Sequence, residues 1–196
     1  MKRLFDITAS LLGLLILFPV ILLIALLIKA DSRGPVFFMQ KRVGLNNADF
    51  RMFKFRTMRT GSDKGRQITV GDRDPRVTRV GYYIRKLKLD ELAQLINVLK
   101  GDMSLVGPRP EVRKYVDYYS EEQMKVLTVP PGVTDLASIQ FVNESELLAG
   151  SDDPEAFYLE EIMPKKLALN LKYVRNRSFF GDLKLILYTF LAILRK

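Results

Sequence analysis

Two neighbouring carboxylates, Asp90 and Glu91, are the residues best placed to do chemistry in this chain. It has 196 residues and contains no His and no Cys, which excludes a Ser-His-Asp unit, a thiolate nucleophile and a Cys/His zinc site. Chemistry must therefore come from carboxylates, Lys, Arg, Tyr, hydroxyls or a metal held by oxygen. Both carboxylates precede an amphipathic segment, and a helix N-terminus favours ionised carboxylates and attracts phosphate. The alternative is that they are ordinary acidic residues of a first helical turn.

Four basic side chains are candidates to bind phosphate beside those carboxylates. Arg109 has a proline on each side, and the restricted backbone presents its guanidinium at low entropic cost for bidentate contacts. Lys54 and Arg56 alternate with phenylalanines, so a strand would place both cations on one face. Arg85 is the fourth candidate. The alternatives are a solvated arginine in a turn and the polar face of a sheet.

The positive charge of the chain is concentrated in one segment. The net charge is +9, and residues 41–88 contain 14 Lys and Arg against 4 Asp and Glu, a local excess of +10. Such a segment indicates a polyanionic partner: nucleic acid, nucleotide phosphates or an anionic membrane surface. Four aspartates could help hold Mg²⁺, but their spacing is more typical of turns; they are Asp63, Asp72, Asp74 and Asp102.

An apolar run near the start of the sequence predicts a membrane segment. Leu11–Ile28 holds 18 residues without a charge, long enough to be a transmembrane candidate. Pro19 lies in its centre, where a proline breaks or kinks a helix, and basic residues flank both ends. Basic flanks favour the cytoplasmic side, so the pattern predicts a helix-break-helix hairpin that enters and leaves by the same face. A single spanning helix kinked at Pro19 is the alternative. A cleaved signal peptide is disfavoured, because no small-residue cleavage site precedes the charged stretch that follows the run.

The remaining elements follow from periodicity and turn residues. The pattern predicts strands at Val36–Gln40 and Phe50–Phe55 around a turn at Gly44–Asn47, and a loop at Thr60–Pro75. It predicts helices at Tyr82–Lys86, Asp90–Lys100 (ending at Gly101), Arg113–Leu127, Asp153–Val174 and Asp182–Arg195, the last buried or in a membrane interface. Two prolines and a glycine make Leu105–Pro110 an irregular loop, and Ile139–Val142 has no assignment. The fold class is α+β and predominantly helical.

Three segments together resemble one protein family. The run LDELAQLINVLKGDMSLVGPRP, from Leu89 to Pro110, follows RDPRVTRVGYYIRKLK and, earlier, KRVGLNNADFRMFKFRTM. These segments strongly resemble the bacterial sugar transferase family, the monotopic phosphoglycosyl transferases that begin glycoconjugate assembly on a polyprenyl-phosphate carrier. The resemblance begins at the RLFD motif of Arg3–Asp6 and covers nearly the whole chain, and its central motif is long and specific.

The resemblance implies an architecture and a reaction. It implies a re-entrant membrane helix at residues 1–30 and a small cytosolic catalytic domain with interfacial amphipathic helices at residues 31–196. In the family, the Asp of an Asp-Glu dyad attacks the sugar-bearing phosphate of a nucleoside diphosphate sugar. UMP leaves, and polyprenyl phosphate then takes the phosphosugar from the aspartyl intermediate. Mapped onto this sequence, Asp90 is the nucleophile and holds Mg²⁺, Glu91 completes the dyad, and Arg109 contacts phosphate.

Some positions depart from the family pattern. Members often have Ser-Pro at the break of the membrane helix, whereas this chain has Phe18-Pro19. Many members have PGITGWAQV where this one has PGVTDLASI, so Asp135 and Leu136 replace a glycine and an aromatic residue. Asn170 replaces a common aspartate. None of these changes affects the dyad.

The resemblance also implies partners and a location. The partners are a UDP-sugar, undecaprenyl (polyprenyl) phosphate and membrane lipids, with a homodimer left open and no nucleic acid; the location is the cytoplasmic face of the bacterial inner membrane. The basic segment, with its interleaved phenylalanines, leaves two other functions open. They are a membrane-tethered nucleic-acid binder and a protein that docks on anionic lipids.

Overall fold

The fold is a mostly helical α+β arrangement attached to one long apolar helix. The structure is a computed structural model that describes residues 1–62 and 74–194. Its helices are α1 (Lys2–Asp31), α2 (Arg79–Lys86), α3 (Gln94–Lys100), α4 (Arg113–Val116), α5 (Glu121–Met124), α6 (Leu136–Gln140), α7 (Glu144–Ala149), α8 (Pro154–Phe157), α9 (Met163–Asn176) and α10 (Phe179–Leu194). The strands are β1 (Phe37–Val43), β2 (Asp49–Phe55), β3 (Ser104–Val106) and β4 (Gly132–Thr134).

Helix α1 presents a broad apolar face to the outside. Within the described residues it is the one helix long and apolar enough to cross a membrane. A narrow stripe along it is buried against the rest of the protein, at Asp6, Ser10, Ile24 and Ile28. The opposite side is exposed over its whole length, including Leu11, Leu12, Leu15, Ile16, Phe18, Leu22, Leu23, Leu26 and Leu27. Exposed apolar surface of this extent is typical of a membrane contact.

The break expected at Pro19 does not divide α1 into two helices. The helix continues from Lys2 to Asp31 with Pro19 inside it, although a proline in a helix interior costs about 3 kcal/mol. The side chain of Pro19 points outward, and the buried stripe continues on both sides of it. Packing on both sides therefore holds the helical backbone through the proline.

Polar contacts hold the N-terminal end of α1. Lys2 forms an ion pair with Asp182 of α10, and its Nζ also donates to the Val106 carbonyl oxygen at 3.0 Å. The buried Asp6 carboxylate accepts from Ser104 Oγ at 2.9 Å and from the Leu105 amide at 3.2 Å. Asp6 of the RLFD segment and the neighbouring Lys2 thus bind β3 and α10.

The C-terminal end of α1 is held by a buried arginine. The Arg56 guanidinium donates to the Ser32 carbonyl oxygen at 2.8 Å, to Thr60 Oγ1 at 3.1 Å and to the Arg33 carbonyl oxygen. The Asp31 carboxylate accepts from the Val80 amide, in the first turn of α2, at 3.0 Å. An apolar cluster lies beneath these contacts and includes Ile24, Ile28, Phe55, Ile84 and Ala93.

Four strands form two small sheets. Strands β1 and β2 pair antiparallel, Phe37 opposite Phe55 and Val43 opposite Asp49, which confirms the predicted hairpin. Strands β3 and β4 pair in parallel, so the irregular loop predicted from Leu105 is wrong for Leu105 and Val106. The prolines of that segment begin only at Pro108 and leave the amides of β3 free to pair. The two backbones approach closely at Gly107, beside which a side chain on Gly132 would not fit.

The helical predictions hold in outline and change in detail. The predicted Arg113–Leu127 helix is divided into α4, α5 and a 3₁₀ turn, because Ser120 begins α5 with a capping box to Gln123. The Asp153–Val174 helix is confirmed as α8 and α9, joined by a π-helical turn at Tyr158–Ile162. The helix predicted at Tyr82–Lys86 begins earlier, after the Thr78 cap. The Asp182–Arg195 helix corresponds to α10. Most of the loop predicted at residues 60–75, with Asp63 and Asp72, lies outside the described residues.

We predict that Arg56 stabilises the protein and takes no part in substrate binding. Substituting Arg56→Gln removes donors from buried carbonyl oxygens, and the free energy of unfolding should fall by about 2 kcal/mol. Thermal unfolding in detergent, followed by circular dichroism, measures the change. Arg51→Gln, an exposed arginine of the preceding strand β2, is the control and should change stability by less than about 0.5 kcal/mol. A folded, equally stable R56Q protein that no longer binds phosphate would contradict this role.

Candidate active site

Asp90 and Glu91 lie in a 3₁₀ turn rather than in the first turn of an α-helix. The turn covers Leu89–Ala93 and leads directly into α3. Lys88 begins it in the left-handed backbone conformation, with φ of 57°, which turns the chain sharply after α2. In a 3₁₀ helix, successive residues point about 120° apart. The two carboxylates therefore face different surroundings.

Glu91 is held by two cations from distant parts of the chain. Its carboxylate accepts two hydrogen bonds from the Arg109 guanidinium, with the Nη1–Oε2 distance at 3.2 Å. Lys54 Nζ, on β2, lies 3.6 Å from Glu91 Oε1. All three side chains are mostly buried, with exposed fractions of 15% for Glu91, 26% for Arg109 and 17% for Lys54. This cluster joins β2, the 3₁₀ turn and the loop after β3.

The cations keep Glu91 ionised. Burial alone would raise the pKa of the Glu91 carboxyl, but Arg109 and Lys54 outweigh it and hold the pKa far below its usual range. Reciprocally, Glu91 raises the pKa of Arg109 against the effect of burial. Burial lowers the pKa of Lys54 to about 8, with Glu91 opposing the shift. Glu91 is thus a fixed negative charge, and its carboxylate oxygens are paired with cations of the protein.

Asp90 has the opposite environment. Burial raises the pKa of the Asp90 carboxyl, the negative charge of Glu91 raises it further, and Lys54 and Arg85 oppose the rise. Among the described residues, no side chain or amide donates a hydrogen bond to the Asp90 carboxylate. A carboxylate without a protein partner and with a raised pKa binds a proton, a metal ion or an electrophile more strongly than a solvated one. The site therefore holds one carboxylate that accepts no hydrogen bond from the described residues and one that is immobilised by two cations.

Five of the six residues predicted to do chemistry meet at this site. Asp90, Glu91, Arg109 and Lys54 lie together, and Arg85 is close enough to act on the Asp90 charge. Arg56 does not join them: its guanidinium is engaged at the end of α1. The prediction that Lys54 and Arg56 share a phosphate-facing surface is wrong for Arg56, because the chain turns back towards α1 at the end of β2.

A buried network that the sequence did not indicate supports the Arg109 loop. Arg42 Nη1, on β1, donates to the Pro110 carbonyl oxygen at 3.0 Å and to Glu111 Oε2 at 3.2 Å. Tyr158 Oη donates to Glu111 Oε1 at 2.5 Å. Arg42, Glu111 and Tyr158 come from three separated segments, so spacing in the sequence holds no signal for the network. They fix the backbone on the C-terminal side of Arg109.

Asp135 fixes the same loop from its other side. Its buried carboxylate caps α6 by accepting from the Ser138 amide at 2.7 Å, and it also accepts from the Arg109 amide at 3.4 Å. Asp135 is one of the departures from the family pattern, and here it stabilises the loop of Arg109. Asn170, another departure, is buried and lines a small cavity beside that loop.

The residues at the site fit a Mg²⁺ ion held partly by substrate. Mg²⁺ usually binds one or two carboxylates and completes its octahedron with waters and substrate phosphates. Asp90 supplies one carboxylate that accepts no hydrogen bond from the described residues. Those residues contain no group of three carboxylates that would form a closed site. The donor set thus suits a metal that arrives with a phosphorylated ligand. Asp74 pairs with Arg76 and Asp102 with Lys100.

Comparison with known proteins identifies relatives of this arrangement. The family model described as "Bacterial sugar transferase" matches residues 1–196. The undecaprenyl-phosphate glucose phosphotransferase of Komagataeibacter xylinus is 44% identical over 195 residues, which cover 96% of this chain and 35% of the relative. The UDP-glucose:undecaprenyl-phosphate glucose-1-phosphate transferase of Caulobacter vibrioides is 40% identical, with 98% and 69% covered.

A shorter relative matches nearly end to end. The uncharacterized sugar transferase EpsL of Bacillus subtilis is 40% identical over 194 residues, which cover 99% of this chain and 87% of the relative. Others are much longer: the chain spans 35% of the Komagataeibacter protein and 43% of an N-acetylgalactosaminephosphotransferase from Aeromonas hydrophila.

We predict strong energetic coupling between Glu91 and Arg109. The variants Glu91→Gln and Arg109→Gln and the double variant form a cycle whose coupling free energy should be about 1 to 3 kcal/mol, because either single change leaves a buried charge unpaired. Denaturant unfolding in detergent gives the three values. The exposed pair Glu122 and Lys125 is the control, with coupling below about 0.5 kcal/mol. If the coupling free energy of Glu91 and Arg109 were as small as that of the control pair, Arg109 would not be what holds Glu91 in place.

Proposed function

The chain belongs to the bacterial sugar transferase family, and we propose that it transfers a sugar-1-phosphate from a UDP-sugar to undecaprenyl phosphate with release of UMP. This is the first membrane step in the synthesis of a polysaccharide or another glycoconjugate. The observation that carries the proposal is the Asp90 carboxylate, which has no hydrogen-bond partner among the described residues and lies beside the immobilised Glu91 and the cations Arg109, Lys54 and Arg85. Relatives named for undecaprenyl-phosphate sugar phosphotransfer support the substrate class.

The proposed reaction has two displacements at one phosphorus atom. An Asp90 carboxylate oxygen attacks the sugar-bearing phosphorus of the UDP-sugar, the bond from that phosphorus to the bridging oxygen breaks, and UMP leaves with the electron pair. An oxygen of undecaprenyl phosphate then attacks the same phosphorus and expels the Asp90 carboxylate. The nucleophiles are both anions near neutral pH, so neither displacement needs a histidine to remove a proton.

The cations at the site offset the electrostatic repulsion that opposes this reaction. An anionic nucleophile must approach an anionic diphosphate, so catalysis depends on cancelling negative charge where it develops. Arg109, Lys54 and Arg85 are the phosphate-binding groups that we assign. Glu91 is a positioning residue, because it holds the Arg109 guanidinium and the Lys54 ammonium in place beside Asp90.

We assign Mg²⁺ as the cofactor and Asp90 as its protein ligand. The Asp90 carboxylate would hold the ion, which would supply neutralisation of charge on the diphosphate. The unpaired oxygens of Asp90 suit this role, while the Glu91 oxygens are occupied by Arg109 and Lys54.

We also propose that α1 enters and leaves the membrane by one face, with residues 31–196 forming a catalytic domain on the cytoplasmic side of the inner membrane. Both ends of α1 bind the same folded domain, through Lys2 and Asp6 at one end and Ile28 and Asp31 at the other. A helix that spans a bilayer separates its ends by about 30 Å of hydrocarbon. Helix α10 exposes Phe180, Leu187, Phe190 and Leu191, as an interfacial helix does.

The basic segment is partly neutralised by internal contacts. Lys41 pairs with Asp49, Arg42 with Glu111 and Lys54 with Glu91, and Arg56 binds carbonyl oxygens at the end of α1. An open groove for nucleic acid needs cations that face solvent. These contacts favour the transferase over a nucleic-acid binder.

We predict that Asp90 becomes covalently modified. Incubation with a UDP-sugar and Mg²⁺, without acceptor, should release at most one equivalent of UMP and add the mass of one phosphosugar to the peptide that contains Asp90. Asp90→Asn should lower turnover on the order of 10³-fold or more. The exposed Asp152→Asn is the control. Full turnover by D90N would mean that the nucleophile is another group.

We predict that both ends of α1 face the same compartment. The chain has no cysteine, so single cysteines at Met1 and at Ala30 can be labelled without background. An impermeant maleimide should label both in inside-out vesicles and neither in right-side-out vesicles. A cysteine at Asp152 reports the side of the catalytic domain. Labelling of the two ends from opposite sides would establish a spanning helix instead.

A further inference from the structure

A second polar cavity lies where α1 ends and α2 begins, apart from the Asp90 site. Its volume is about 580 Å³, enough for a phosphate group and part of the molecule that carries it. Three arginines line it: Arg33 after α1, Arg59 after β2 and Arg79 at the start of α2. The mechanism proposed above uses none of them.

The three arginines are available to a ligand. All three are exposed, and within residues 1–62 and 74–194 none of their guanidinium groups forms an ion pair or a hydrogen bond. Among the described residues that line the cavity, Asp31 is the one acidic side chain, and its carboxylate accepts from the Val80 amide. Three guanidinium groups against one carboxylate give these described lining residues a net charge of +2.

Thr78 offers one neutral donor to the same space. Its Oγ1 accepts from the Gly81 amide at 3.0 Å as the cap of α2, so its hydroxyl hydrogen is free to donate. Thr60, by contrast, already accepts from Arg56 and donates to the Arg33 carbonyl oxygen. The cavity thus presents charged and neutral donors together, as phosphate-binding sites do.

The position of the cavity relates it to the membrane. The exposed leucines of α1 end at Leu27, the exposed Lys29 follows, and the cavity begins at Asp31. If the outer face of α1 lies in hydrocarbon, the cavity lies within about one helical turn of the level where hydrocarbon ends. Phosphate groups of membrane lipids lie at this level.

Helix α2 connects the cavity to the catalytic site. Arg79 lines the cavity, and Arg85, six residues further along, acts on the charge of Asp90. At 1.5 Å per residue, the two positions are about 9 Å apart along the helix axis. The cavity and the Asp90 site thus adjoin the same short helix, one through Arg79 and the other through Arg85.

We propose that this cavity, the α1–α2 junction cavity, binds the phosphate head of undecaprenyl phosphate before it reaches Asp90. The inference rests on the proposed function, which requires a lipid acceptor. A phosphate monoester has a charge of about −1.5 to −2 at pH 7, which matches the net +2 of the cavity. A phospholipid diester has only one negative charge on its phosphate, and a soluble nucleotide has no need of a site at the end of the apolar helix.

Steady-state kinetics with substitutions of the three arginines test the inference. Arg33→Gln, Arg59→Gln and Arg79→Gln should each raise the KM for undecaprenyl phosphate about 3- to 10-fold, with the triple variant higher still. The KM for the UDP-sugar, and the UMP released before acceptor is added, should stay within about twofold. The matched control is Arg51→Gln, an exposed arginine of β2, which should change neither. Replacement by lysine should restore part of the acceptor affinity, because lysine keeps the charge but loses the bidentate fork.

Direct binding separates the sources of the phosphate. Purified protein in nanodiscs of neutral lipid is titrated with undecaprenyl phosphate, phosphatidylglycerol or UMP, and thermal stabilisation is measured for the wild type and the triple variant. The inference expects stabilisation by undecaprenyl phosphate that the triple variant loses. The inference would be overturned if the triple variant lost the stabilisation by phosphatidylglycerol or UMP instead. It would also be overturned if folded variants kept an unchanged KM for undecaprenyl phosphate. If the wild type releases no UMP from any UDP-sugar, the proposed function fails, whereas this titration still reports on the cavity.

Discussion

The arrangement of the site depends on the buried ion cluster of Glu91, Arg109 and Lys54. These residues belong to three elements that are separate in the sequence: β2, the turn before α3 and the loop after β3. Because the cluster is largely removed from water, loss of Glu91 leaves two cations uncompensated in a place where desolvation is expensive. The cluster therefore helps to fix the three elements relative to one another. It also occupies Glu91, whereas no described residue donates a hydrogen bond to the Asp90 carboxylate.

Polar contacts also fix the orientation of the long apolar helix α1. Its outer face is made of leucine, isoleucine and phenylalanine, which have no preference for one orientation in a lipid environment. Orientation comes from polar contacts near its two ends: Asp6 binds β3, and Asp31 accepts from the Val80 amide of α2. Polar groups buried at both ends of an apolar helix find partners only in one register. The domain is thereby kept at a fixed height relative to the hydrophobic surface, and with it Asp90.

The sequence allowed the local elements and most of the residues that meet at the candidate site to be predicted. The hairpin of β1 and β2 follows from two short apolar-aromatic runs around one turn, and the Asp90, Glu91 and Arg109 positions follow from a long specific motif. The Arg42–Glu111–Tyr158 network was missed, because its partners are separated by 69 and 47 residues and no periodicity links them. Arg56 was misassigned for a related reason: its strand alternation predicted the face correctly for Lys54, but not the return of the chain to α1. The pairing of β3 with β4 joins only three residues from each segment, which is too few for a pattern.

The absence of histidine now has a physical explanation. A carboxylate nucleophile needs no base, but it needs positive charge nearby that survives burial. Arginine retains its charge under almost any desolvation, whereas burial lowers the pKa of Lys54 to about 8. Of the two cations that hold Glu91, Arg109 is therefore the permanent one, and Lys54 loses its charge as the pH rises through about 8. Buried contacts support the loop of Arg109 from both sides, from Arg42 and Glu111 on one side and from Asp135 on the other. The residue whose charge does not vary with pH is therefore the one that these polar contacts hold in place.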